Sequence, residues 1–151
     1  MSSRQRRIDK VVAHRSKVLD EQIAVLNQHK SREEAARLLA EREQEEARRA
    51  SESRLKMAEA ELSAKDWVLA NEWLKSRAAH LELAEKQVVK ARLGTERARV
   101  HVVHARTDLK KVEVLSARIV AEERREQERA ERRLEDELAG QRFLADRRGD
   151  K

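Results

Sequence analysis

The sequence predicts an all-α fold: a long two-helix antiparallel coiled-coil hairpin with a protruding C-terminal helix. Three observations point there. The 151 residues include no proline, three glycines and 42% charged side chains, the composition of long helices. Two tryptophans, one phenylalanine and no tyrosine are too few to build the aromatic clusters of a globular core. An apolar seam spaced alternately by three and four residues runs through most of the chain, and a 3.5-residue period marks a helix that packs against another helix.

The seam is clearest in the second half. From Trp67 it steps through Ala70, Leu74, Arg77, Leu81, Ala84, Val88 and Ala91, then Thr95, Ala98, Val102, Ala105, Leu109, Val112, Ser116 and Ile119. Only Arg77, Thr95 and Ser116 are not apolar. A first arm, residues 6–62, begins equally well with Ile8, Val12, Ser16, Leu19, Ile23 and Leu26. Its phase then passes through Lys30, Glu33 and Arg37 before returning to Ala40, Ala47 and Ser51, and shifts by one to Leu55, Ala58 and Leu62. Between the arms, Ser63-Ala-Lys-Asp66 reads as the turn, because Ser63 or Asp66 can cap a helix that starts at Trp67. The second arm then spans 67–145.

A turn centred near residue 64 places residue i opposite roughly residue 128 − i. Leu26 then meets Val102, Leu19 meets Leu109, and the apolar ends of both arms coincide. The expected core is Val12, Leu19, Ile23, Leu26, Leu74, Leu81, Val88, Val102, Leu109, Val112 and Ile119. Gly94 and Thr95 fall opposite the weak part of the first arm, either as a tolerated glycine or as a waist in the rod. Beyond Ile119 the seam stops, as it must where no partner helix remains. Glu122-Glu-Arg-Arg-Glu-Gln-Glu-Arg129 is charged all round, and apolar residues return only at Leu134, Leu138, Phe143 and Leu144. An arm of some 55 residues is about 80 Å long at 1.5 Å per residue.

The formal charge is +6, and it is concentrated at one end. Arg4, Arg6, Arg7, Lys10, Arg15 and Lys17 against Asp9 give residues 1–17 a net +5. Elsewhere acids and bases interleave, which leaves that segment as the one candidate nucleic-acid site; stacking aromatics are nearly absent. No cysteine is present, so disulfides and thiolate metal sites are excluded. No apolar run reaches the roughly 20 residues of a membrane span, and no apolar segment follows the basic N-terminus to make a secretory signal.

Catalytic and metal chemistry find little support. His101 and His104 are three apart, but zinc takes three or four ligands and no further ligand stands nearby. Glu135, Asp136 and Glu137 diverge around a helix. The glycines stand alone, so no phosphate loop exists. The sequence therefore reads as no enzyme, with no cofactor, metal or small-molecule substrate. Trp67 fits the seam. Trp73 falls one place before Leu74, either widening the seam or standing as an exposed anchor of the kind enriched at interface hot spots.

Two local features give this pattern a family resemblance. One is the aromatic segment after the turn, Asp66-Trp-Val-Leu-Ala-Asn-Glu-Trp73-Leu. The other is the basic-then-acidic stretch Arg132-Arg133-Leu-Glu-Asp136-Glu137-Leu138-Ala139-Gly-Gln-Arg142. With its size and layout, the chain resembles the FliJ/YscO stalk proteins of flagellar and injectisome type III secretion. The resemblance implies a cytoplasmic part of the secretion apparatus, monomeric in isolation, that contacts a hexameric secretion ATPase, an export gate protein and, in some members, chaperones. It further implies that Arg6, Arg7, Arg132, Arg133, Asp136 and Glu137 meet the ATPase, and that Trp73 and Arg77 face the gate. Two other readings stay open: a structural coiled coil, such as a parallel homodimer, and a nucleic-acid or ribosome binder acting through the basic N-terminus.

Overall fold

The computed structural model describes residues 1–149. Among them are two helices and no strand: α1 (Ser3–Ala58) and α2 (Ala64–Gly149). The fold is the all-α helical hairpin class expected.

Ser2 starts α1. Its Oγ accepts from the Gln5 amide at 3.0 Å and its carbonyl accepts from the Arg6 amide at 3.1 Å, occupying two donors that the first helical turn leaves free. Good helix formers without proline then carry the helix for 56 residues. At its end the Glu59 and Ala60 amides donate to the Lys56 and Met57 carbonyls at 3.2 and 3.1 Å. These i→i+3 closures tighten the last turn. Ser63 then caps α2: its Oγ accepts from the Asp66 amide at 3.3 Å and donates to Asp66 Oδ2 at 2.8 Å, and its carbonyl receives the Trp67 amide at 3.2 Å. The serine, not the aspartate, takes the capping position. The connection is consequently residues 59–63, ahead of the expected 63–66.

Along α2, every seam position from Trp67 to Ile119 is buried or half-buried. The deepest are small: Ala84, Thr95, Ala98, Val102 and Ala105, with Ile119. Small side chains let two helix backbones approach closely. The Thr95 hydroxyl, 1% exposed, donates to the Ala91 carbonyl at 3.2 Å, so burying it leaves no orphaned donor.

On α1 the seam departs from the sequence expectation after Leu26. Lys30, Arg37 and Ser51 are exposed. The covered positions are His29, Glu33, Ala36, Ala40, Glu43, Ala47 and Ala50. Two successive three-residue steps, Ile23–Leu26–His29, move the stripe by one residue and so turn the two cations outward. Leu55 is 71% exposed, so the stripe does not resume there either.

The chain divides into two compact units. Unit 1 joins Met1–Val18 to the chain from Ala105 onward. Within it Ser2 Oγ donates to Glu123 Oε1, Arg4 reaches Glu122 at 3.3 Å, and Arg15 reaches Asp108 at 3.8 Å. Partner numbers fall as α1 advances, so the pairing is antiparallel. After Glu123, α2 is exposed at every residue through Gly149.

Unit 2 spans Leu19–His104 and contains the turn. Its arms are antiparallel too: His29 faces Gly94, Glu33 reaches Arg92 at 3.8 Å, and Glu43 reaches Arg77 at 3.6 Å. The 128 − i register would set His29 against Arg99. The earlier turn accounts for the difference, because moving its centre from residue 64 to residue 61 shifts the facing residue by about six positions. Gly94 is neither idle nor a gap: a Cβ there would lie 2.9 Å from His29 Nδ1, so the imidazole occupies the space a side chain would fill.

On the exposed side of α1, Arg48 bridges Glu45 at 2.6 Å and Glu52. Its hydrogen bond holds the Glu45 carboxyl below the ordinary carboxylate range. A lowered carboxyl supports the helix above its unfolded value and loses that support as pH falls through the folded one. The group is solvent-exposed, so screening keeps the effect small. The larger local determinant is the cap. Ser63→Ala should lower stability by about 1 kcal/mol, read as a lower urea midpoint at unchanged m-value.

Candidate interaction surfaces

In unit 1 the first turn of α1 lies against α2 near Glu122 and Glu123. Arg6 and Arg7 are exposed there. Arg6 Nη2 donates to the Met1 carbonyl at 3.4 Å and Arg7 Nε to the Ser3 carbonyl at 3.4 Å. Arg4 is engaged by Glu122. Arg132, Arg133, Asp136 and Glu137 are exposed on the overhang and form no ion pair among the described residues. Arg132 is nine residues past Glu123, about 14 Å along the helix at 1.5 Å per residue. The two groups of charges are therefore separate patches of one unit. Beside the second patch, Leu134, Leu138, Phe143 and Leu144 are roughly half or more exposed, and Arg147 sits over the Phe143 ring at 5.8 Å.

In unit 2 the end bearing the turn carries exposed apolar side chains. Trp67 is half-buried and lines a groove of about 360 Å³ with Ser51, Leu55, Ala58 and Leu74. Trp73 is 47% exposed, and Val68 and Leu69 are also open to solvent. Leu69 and Trp73, four apart, share a face of α2. Arg77 is placed differently: its guanidinium is drawn into the seam, with Nη1 3.6 Å from Glu43 Oε2. That is ion-pair range but too long for a hydrogen bond; Arg77 Nε and Glu43 Oε2 form none among the described residues. Sequence reading noted Arg77 as a polar interruption of the seam and missed its partner, because the stripe that covers Glu43 appears only once His29 is counted in.

Of the expected core, Val102 and Ile119 are buried. Val12, Leu19, Ile23, Leu26, Leu74, Leu81, Val88, Leu109 and Val112 are half-buried. His101 and His104 are both exposed, and no three His, Cys, Asp or Glu side chains among the described residues are grouped to hold a metal. No helix of the described residues is long and apolar enough to cross a membrane.

Within each unit the helices pair antiparallel along a narrow seam, leaving charged and apolar side chains exposed, the layout of a helical structural protein. The chain belongs to the FliJ family: the family model described as flagellar FliJ protein matches residues 4–148. No curated protein and no solved structure matches it. The membership makes it a flagellar or type III export-related structural protein.

The Glu43–Arg77 pair yields a test. Glu43→Leu leaves a half-buried guanidinium without its counter-charge and should cost about 1–3 kcal/mol. The double variant Glu43→Leu/Arg77→Met should recover most of that loss in urea unfolding, because it replaces both partners with apolar side chains of similar volume.

Proposed function

We propose that this chain is a non-catalytic central-stalk component of a bacterial type III secretion system, promoting assembly and activity of the hexameric secretion ATPase and protein export. In this reading it works at the cytoplasmic face of the apparatus. The N-terminal turns and the overhang of unit 1 (Arg6, Arg7, Arg132, Arg133, Asp136, Glu137) contact the ATPase. The turn end of unit 2, through Trp73 with Arg77 behind it, contacts the export gate protein. The observation that carries the reading is the family match across residues 4–148.

The surfaces support this division of labour. Unpaired, exposed charges on the overhang are individually worth about 0–1 kcal/mol, which suits weak, reversible contact with a ring that turns over. A half-exposed tryptophan with Leu69 on the same face is a better anchor for a tighter site. Arg77 is best read as a support for the helix beneath Trp73, because its charge is already held by Glu43. The nucleic-acid reading loses ground: Arg4 and Arg15 face Glu122 and Asp108, which removes two of the six cations of the basic segment.

The test is the hydrolysis rate of the cognate secretion ATPase with and without the purified chain. Wild type should raise it, and Arg132→Glu/Arg133→Glu should remove most of the increase while helical circular dichroism is unchanged. Trp73→Ala should keep the ATPase effect and weaken binding to the gate protein by about tenfold or more. No effect of wild type on its authentic ATPase contradicts the proposal.

A further inference from the structure

The two sides of the seam around Gly94 differ in how their charges are matched. On one side lie Lys30, Glu33, Glu34, Arg37 and Arg92. There Arg37 pairs with Glu34 and Arg92 with Glu33. On the other side is a groove of about 480 Å³ rimmed by Arg32, Lys90 and Arg97, with His29 at its inner edge. No carboxylate lines it, and none of these three cations has an ion pair among the described residues. The groove therefore has a basic rim that no acid of its own lining neutralises.

The floor is as distinctive as the rim. Ala36, Ala91 and Gly94 leave it shallow, and Leu93 forms one wall. Leu93 is 53% exposed, and Val89 and Val100 on the same helix are more than half exposed as well. A small inorganic anion would engage the rim and leave these aliphatic groups in water. A nucleic-acid strand would find no Phe, Tyr or Trp in the lining to stack on. An amphipathic helix fits both parts, its apolar side on Ala91, Gly94 and Leu93 and its carboxylates on the cations. Lys90 and Arg97 are seven residues apart, two turns or about 10.5 Å, the spacing of acids repeated once per heptad on a helix lying along α2.

We infer that this groove of unit 2 is a docking site for an acidic amphipathic helix of a partner protein. The inference stands on the groove alone and does not require the stalk reading. It shares no lining residue with the Trp73 face of unit 2.

The test uses the full chain and a fluorescein-labelled synthetic helix about three heptads long, with leucine at the core positions and glutamate on both flanks, followed by fluorescence anisotropy at fixed ionic strength. Wild type should bind it, and Arg32→Glu/Arg97→Glu should weaken binding by about tenfold or more. The same peptide with lysine flanks should bind that variant better than it binds wild type. Lys10→Glu/Lys17→Glu, an equal charge change in unit 1, should leave the glutamate peptide's affinity within about twofold. The inference is overturned if wild type does not bind, or if a scrambled peptide of the same composition binds as well. It is equally overturned if the groove reversal has no effect, or if a single-stranded RNA competes with equal affinity through the same residues.

Discussion

Small side chains in a single stripe govern how the helices of each unit pair. Alanine, threonine and valine supply most of the deeply covered positions on α2, so each contributes little apolar area. At about 25 cal/mol per Å², no one seam residue dominates and stability is spread over many turns. Close approach also explains why the interruptions are tolerated. Thr95 returns its hydroxyl to its own helix, Gly94 makes room for His29, and Arg77 finds Glu43 across the seam. A wider, leucine-rich seam would hold the arms apart and leave Gly94 and Arg77 without these neighbours, while Thr95 keeps its bond within α2. The ion pairs outside the stripe, such as Arg124–Glu128 at 3.1 Å, are exposed and add only tenths of a kcal/mol each.

The thin seam has a consequence for surfaces. Because packing consumes so little of each helix, large side chains such as Leu69, Trp73, Leu93 and Val100 remain open beside the seam, and Leu138 and Phe143 are open on the overhang, which has no facing helix. A helix wrapped into a globular core would have buried them. Here their position relative to charge sorts them into separate regions. Trp73 stands near the turn of unit 2. Leu93 borders three unmatched cations. Leu138 lies beside Asp136 and Glu137 on the overhang of unit 1. Exposed apolar patches of this kind are commonly interaction sites in proteins.

The period of α2 was fully legible, since its seam positions, Arg77 apart, hold apolar or small residues at regular steps from Trp67 to Ile119 and one slip would have been visible. The same reading failed on the middle of α1. There the covered stripe includes His29, Glu33 and Glu43, which no hydropathy pattern selects, and it advances by one residue at a point that leaves no glycine or proline as a mark. The turn was found but placed about three residues late. Ser63 and Asp66 are both capping residue types, and only the hydrogen bonds of Ser63 to the Asp66 and Trp67 amides decide between them. That small displacement carried into the register, so the partner of His29 could not be read. The groove beside Gly94 was missed for the same reason. Arg32, Lys90 and Arg97 look like ordinary solvated cations until the facing arm is placed correctly.

Within each unit, the helical segments are paired antiparallel in a single polypeptide. The chain has no cysteine, so introduced ones report without background. The most direct measurement is crosslinking of Arg15→Cys/Asp108→Cys in unit 1 and Glu33→Cys/Arg92→Cys in unit 2 with a short bismaleimide at high dilution. The predicted result is a monomer-sized product for both pairs, linked across the two arms of one chain. Products of dimer size only, with either pair, would contradict it.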